Sequence, residues 1–130
     1  MNLEIKLLRW PEGGNYVVAF CRGALEKEGF KCLFRKVHQF TEPLSNCRVA
    51  IDMRDSNYIL EGTDIPVLVE QIAEDVSSRD HQLALVSRPE VGYFRQLVVL
   101  SNSLASYEFN IAVFTDMDRA ASWLASASLV

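Results

Sequence analysis

Arg22, Arg54 and Arg88 each follow closely on a short apolar run. In an open parallel α/β sheet, guanidinium groups at the carboxyl ends of strands, beside the helix amino termini that open there, can hold an anion through charge-assisted hydrogen bonds. Asp52, Asp55, Glu61 and Asp116 fall on the same expected edge. Ion pairing between the two sets is the competing reading, and exposed pairs of this kind contribute under about 1 kcal/mol. Two hydroxyls, Thr63 and the nearby Ser56, could accept a phosphate. Thr63 serves equally well as a helix N-cap and Glu61 as a solvated loop carboxylate.

Other catalytic or metal-binding signals are thin. His38 falls on an expected helix and His81 in a connection; neither has a spaced second His or a Cys partner that would build a metal site, and both are expected to be exposed. Gly13-Gly14 marks a turn, since no phosphate-loop or dinucleotide fingerprint surrounds it. Cys21, Cys32 and Cys47 are odd in number and lack close pairing, which points to buried free thiols. No catalytic residue, no metal and no cofactor are expected, and the chain is not expected to be an enzyme.

The elements that must position these residues alternate. Leu3 to Trp10 reads as a first strand, closed by the turn-forming run Pro11-Glu12-Gly13-Gly14-Asn15. Tyr16 to Cys21 is a nearly continuous apolar run, the pattern of a strand covered on both faces, ending at Arg22-Gly23. Phe30, Leu33, Phe34, Val37 and Phe40 recur at helical spacing over 28–39, with Gly29 weakening the first turn. Cys47 to Met53 is a further strand, followed by a polar loop. A second helix then enters through Thr63 or Asp64, with Pro66 in its first turn. Leu83 to Val86 is another buried strand, after which Ser87-Arg88-Pro89-Glu90 has the form of a capping box for a third helix reaching Ala105. Phe109 to Phe114 is the last strand, and Thr115-Asp116-Met117-Asp118 a second capping box for a final helix toward Ser126. Such alternation implies a mostly parallel sheet of about five strands, one N-terminal and antiparallel, with about four helices joined by right-handed crossovers.

A length of 130 residues suits one domain spanning 1–130, and 49% hydrophobic with 23% charged residues places the chain among globular proteins rather than disordered ones. A formal net charge of -4 without any Lys/Arg run argues against nucleic-acid binding. Met1 to Lys6 lacks the basic-then-apolar layout of a secretory signal, and no apolar run approaches the length that spans a bilayer, so the cytoplasm is the expected location.

Three stretches resemble the STAS domain, in its SpoIIAA-like branch related to anti-sigma-factor antagonists. They are the strand closing on Arg22-Gly23, the segment Arg48-Val49-Ala50-Ile51-Asp52-Met53-Arg54-Asp55, and Ala112 to Leu124 with its acidic cap and Ala-Trp-Leu helix. The resemblance implies a SpoIIAA-like fold and a non-catalytic regulatory or protein-interaction role. Phosphorylated antagonists carry a serine at the amino terminus of the helix that follows the Asp-Leu-Arg strand. At that place this chain has Leu60-Glu61-Gly62-Thr63, so Glu61 aligns with the phosphoacceptor and the usual phosphorylation switch is not expected.

The third helix offers a second route to function. Tyr93, Phe94, Leu97, Val98, Val99 and Leu100 cover most of its circumference, more than one core face needs. The surplus fits a homodimer surface, an apolar pocket or a membrane-contact face, with a fully buried core helix as the plain alternative. The likeness of SpoIIAA-like domains to lipid-carrying CRAL-TRIO domains implies a small lipophilic ligand or peripheral membrane contact as the alternative to a protein partner.

Overall fold

The computed structural model describes residues 1–10, 14–77 and 79–126. Pro11 to Gly13 of the expected first turn, and Ser78 beyond the second helix, lie outside them. Five strands and four helices follow in the order β1 (Asn2–Arg9), β2 (Asn15–Leu25), α1 (Lys27–Thr41), β3 (Arg48–Tyr58), α2 (Ile65–Asp75), β4 (Gln82–Val86), α3 (Val91–Ala105), β5 (Asn110–Phe114) and α4 (Met117–Ser126). The strands form one sheet in sequence order, antiparallel between β1 and β2 and parallel from there to β5. This is the mixed α/β architecture that the alternating pattern predicts.

Strand alternation divides the core. Val17, Ala19, Val49, Ile51, Leu83 and Leu85 face the layer formed by α1, α2 and α3. Tyr16, Val18, Ala50, Ala84 and Val86 face the opposite way, where Ala120 and Leu124 of α4 cover them. The stripe Phe30, Leu33, Phe34 and Val37 buries α1 as its periodicity requires. Gly29 permits a close approach: a Cβ there would stand 2.8 Å from Cδ1 of Leu25.

Two expected boundaries are corrected. β2 does not stop at Arg22-Gly23, nor β3 at Met53; both run on, paired with each other, to Leu25 and Tyr58, past the point where Asp52 pairs with Val86 at the end of β4. Gly23, at φ +90°, supplies a backbone conformation that side-chain-bearing residues resist, so the strand can bend and continue. A bulge lies in the same stretch. Phe20 pairs with Asp52 and Arg22 with Asp55, which leaves β3 one residue longer than β2 between these pairs. The extra residue inverts the alternation: Val49, Ile51 and Met53 point to the α1–α3 layer before it, and Tyr58 after it. Ser56 is consequently no loop residue. It is fully buried, and its hydroxyl donates to the Cys21 carbonyl at 2.8 Å.

The helix starts are corrected too. The N-cap of α3 is Glu90, not Ser87, whose hydroxyl is engaged by Tyr58 Oη (3.1 Å) and the Arg88 carbonyl (2.8 Å), so Pro89 lies outside the helix. At α2 the structure takes Asp64, one of the two N-caps that the sequence offers, and leaves Thr63 exposed just before it. At α4 the cap is Asp116, whose Oδ1 accepts from the Arg119 N–H at 2.8 Å, rather than Thr115.

Candidate functional site

At the carboxyl edge of the sheet each of two arginines engages a carboxylate two residues away. Arg54 donates from its backbone N–H (3.1 Å) and Nε (3.0 Å) to Asp52 Oδ1, and from Nη2 to Oδ2 at 2.8 Å. Arg88 grips Glu90 through Nε at 3.3 Å and Nη2 at 2.9 Å, donates to Asn57 Oδ1, and lies over the Tyr93 ring 4.5 Å from its centroid. Arg22 is exposed and stands in backbone register with Asp55 of the neighbouring strand. Burial alone would raise the Asp52 carboxyl, but the hydrogen bonds and charge of Arg54, with Arg22 nearby, hold it below the ordinary carboxylate value. The edge is thus built as charge pairs.

The protruding ends of β2 and β3 create a feature that sequence reasoning passed over. Tyr58 is buried beneath them, edge-on to Phe30 (5.7 Å) and to Tyr93 (4.9 Å). Beyond it Ile59 is 77% exposed, a large apolar side chain left in water. Around these residues opens a groove of about 530 Å³ whose walls include Leu25, Tyr58 and Tyr93 and whose rim carries Glu26, Glu28, Glu61 and Asp64. Lys27 is the basic residue of that lining, and it is 3.9 Å from Asp64. The loop is pinned where the Leu60 N–H donates to Gln96 Oε1 at 2.6 Å. Glu61, Gly62 and Thr63 all stand exposed on it. The signal available in the sequence was the apolar triplet Tyr58-Ile59-Leu60 inside what reads as a polar loop.

The six apolar positions of α3 divide. Leu97 and Leu100 are fully buried, Tyr93, Phe94 and Val98 are half-buried, and Val99 is exposed. The core absorbs part of the helix's surplus and leaves the rest at the surface.

The histidines, expected to be exposed, are half-buried on one small cavity of about 20 Å³. His81 Nδ1 accepts from the Cys47 N–H at 2.9 Å, which ties the start of β3 to β4 and requires a ring without a proton on Nδ1. Burial pushes the His81 pKa below its ordinary value of 6.5; Asp80 opposes this and His38 reinforces it. A histidine depressed in the folded state takes up its proton more readily when unfolded. Its contribution is therefore complete above pH about 6.5 and is lost as pH falls below that value. Thermal melts are expected to show a stability limb falling from pH about 6.5 toward 5, and His81→Asn, which can still accept the Cys47 bond, is expected to flatten it. An unchanged limb in that variant would refute the assignment. The cysteines are free thiols, Cys21 and Cys47 buried and Cys32 half-buried.

Among the described residues no three His, Cys, Asp or Glu side chains are grouped to hold a metal, and no helix is long and apolar enough to cross a membrane. The order of the sheet, its single antiparallel edge strand and the α4 cover on its second face define a SpoIIAA-like α/β fold. The chain is similar over 94% of its length, at 14% identity and TM-score 0.56, to 93% of an uncharacterised DUF3478-family protein of SpoIIAA-like fold from Shewanella loihica PV-4. It also aligns over 91% of its length with 94% of the unphosphorylated anti-sigma factor antagonist SpoIIAA, at 11% identity and TM-score 0.44. No protein-family model and no curated protein matches the chain. The likeness to the Shewanella loihica structure bears out the fold that the sequence resemblance implies.

Proposed function

We propose that the chain is a non-catalytic interaction module of the STAS type, whose partner docks on the groove beneath the protruding β2–β3 ends. The observation that carries this reading is Ile59, 77% exposed above an aromatic-floored groove with an acidic rim. A partner that fits it presents an apolar residue ringed by Lys or Arg, since a central apolar anchor supplies binding energy and rim charges supply orientation. The charge pairs at the edge support the same reading, because Arg54 and Arg88 are already engaged by the chain's own carboxylates. Glu61, exposed at the place the resemblance aligns with the phosphoacceptor, supplies a fixed negative charge where phosphorylated relatives gain a switchable one.

Ile59→Glu tests this directly, since an exposed site tolerates the change within about 0.5 kcal/mol of stability. A protein cross-linked to the wild-type chain in host lysate, then purified, is expected to bind Ile59→Glu and Glu61→Lys at least tenfold more weakly in calorimetric titration. Equal affinity for wild type and both variants would overturn the reading. So would native mass spectrometry showing a retained lipid and no protein partner.

A further inference from the structure

We propose that the outer edge of β5 is a self-pairing surface, at which two copies of this chain join their sheets antiparallel about a two-fold axis at Ala112. The two edges of the sheet are built differently. β1 carries Glu4, Lys6 and Arg9 along its length, charges that discourage strand-to-strand association. β5 reads Asn110-Ile111-Ala112-Val113-Phe114, with no charge and no proline.

Hydrogen-bond direction fixes what this edge offers. The Phe114 carbonyl accepts from the Ser87 N–H at 2.7 Å, on the β4 side. Successive strand residues turn their N–H and C=O groups to opposite sides, so Phe114, Ala112 and Asn110 bond toward β4 while Ile111 and Val113 present theirs outward. A second copy turned end for end about Ala112 sets its Val113 against Ile111 and its Ile111 against Val113. Both are positions where the two chains exchange N–H and C=O. Ala112 then meets its own counterpart at the site where side chains come closest, and a methyl group fits there. What singles out a second copy is the placing of the smallest side chain, Ala112, at the centre of the uncharged strand, so that a reversed copy meets it with neither a clash nor like charges, the condition for an isologous dimer.

The flanks agree. A groove lined by Val91, Phe94, Val113 and Phe114 runs beside the edge, and Val91 is 69% exposed. The two-fold axis brings the α3 strips of both copies over one continuous sheet and covers this apolar surface. The same register sets Glu108 of the second copy opposite Asp116, and Arg119, which Asp116 already holds at 3.5 Å and which lines the same groove, supplies the cation between the two carboxylates. The surface is separate from the Ile59 groove, so each is tested without the other.

Light scattering coupled to size exclusion on the intact chain is expected to return the mass of two chains. Ala112→Glu opposes two carboxylates across the axis, and Ala112→Lys two ammonium groups; each is expected to weaken association at least tenfold while thermal unfolding stays cooperative. An equimolar mixture of the two variants is expected to restore the dimer through opposite charges. Val91→Glu, at an exposed helix start where a carboxylate is well tolerated, is expected to weaken association as well, and supplies the reading should the Ala112 variants not fold. A wild-type chain that is monomeric at every concentration would overturn the proposal. So would Ala112→Glu or Val91→Glu variants as dimeric as wild type, or a mixture that stays monomeric.

Discussion

Tyr58→Ala is expected to lower the free energy of unfolding by about 3–5 kcal/mol, the range for deleting a fully buried aromatic side chain. Tyr58 is 1% exposed, and it closes the top of the core where β2 and β3 extend past β4. Its ring stands edge-on to Phe30 of α1 and Tyr93 of α3, contacts worth more than area alone. Its hydroxyl meets Ser87 Oγ at 3.1 Å and the Tyr93 carbonyl at 3.4 Å. Tyr58→Phe keeps the ring and removes only these bonds, so it is expected to cost about 1 kcal/mol. Urea denaturation of both variants checks the pair: the gap of about 2 kcal/mol or more between them measures the ring. An alanine variant within about 1 kcal/mol of wild type would mean that the β2–β3 extension is not packed on α1 and α3. The groove depends on the same residue, because Ile59 is held out by the strand that Tyr58 anchors.

The parts of this architecture legible in the sequence are those decided by local periodicity. The stripe through Phe30, Leu33, Phe34 and Val37 marks α1, and the short apolar run Leu83 to Val86 marks β4, because each pattern matches the face its element buries. The parts that escaped are decided by residues far away in the chain. Arg22-Gly23 and Arg54-Asp55 read as strand ends, yet the ladder between β2 and β3 carries both through, since a backbone paired on a neighbouring strand outweighs local breakers. Ser87-Arg88-Pro89-Glu90 reads as a capping box, but Tyr58, 29 residues earlier, takes the hydroxyl. His81 reads as a connection residue, and Cys47, 34 residues earlier, draws it in. Ion pairing along this edge was legible as a competing reading between two sets of charges, but which partners join, Asp52 with Arg54 and Glu90 with Arg88, is decided by the fold. The exposure of Ile59 was not legible, because an apolar triplet gives no sign of which member the fold leaves outside.

Arg54→Ala is expected to cost about 2 kcal/mol at pH 7, more than a surface ion pair warrants. The reason lies in the bulge. Met53 and Arg54 fall between the paired residues of β3, where the register to β2 is interrupted, and it is there that Asp52 Oδ1 accepts the Arg54 N–H at 3.1 Å. The same carboxylate, with its side chain only 11% exposed, relies on the guanidinium for its remaining partners. Removing the Arg54 side chain leaves the burial of Asp52 opposed only by the backbone N–H of residue 54 and the more distant Arg22. Because the folded-state pKa is lowered, the contribution of Asp52 is complete above the unfolded carboxylate value of about 3.9 and is lost as pH falls through the folded value beneath it. In Arg54→Ala burial is offset less and the folded carboxyl moves up toward the unfolded value, so the share of the acid limb that Asp52 supplies is expected to shrink and the stability gap between variant and wild type to narrow as pH falls from 7 toward 4. Carbon-detected NMR titration of the Asp52 carboxyl and denaturant melts at pH 7 and pH 4 separate these effects. A variant within about 0.5 kcal/mol of wild type at pH 7, with an unmoved Asp52 titration, would reduce the pair to an ordinary surface contact. If the pair does hold the bulge, amide exchange in the variant quickens from Arg54 to Tyr58 before it does in β4. The loosening then reaches Ile59 without any substitution in the groove itself.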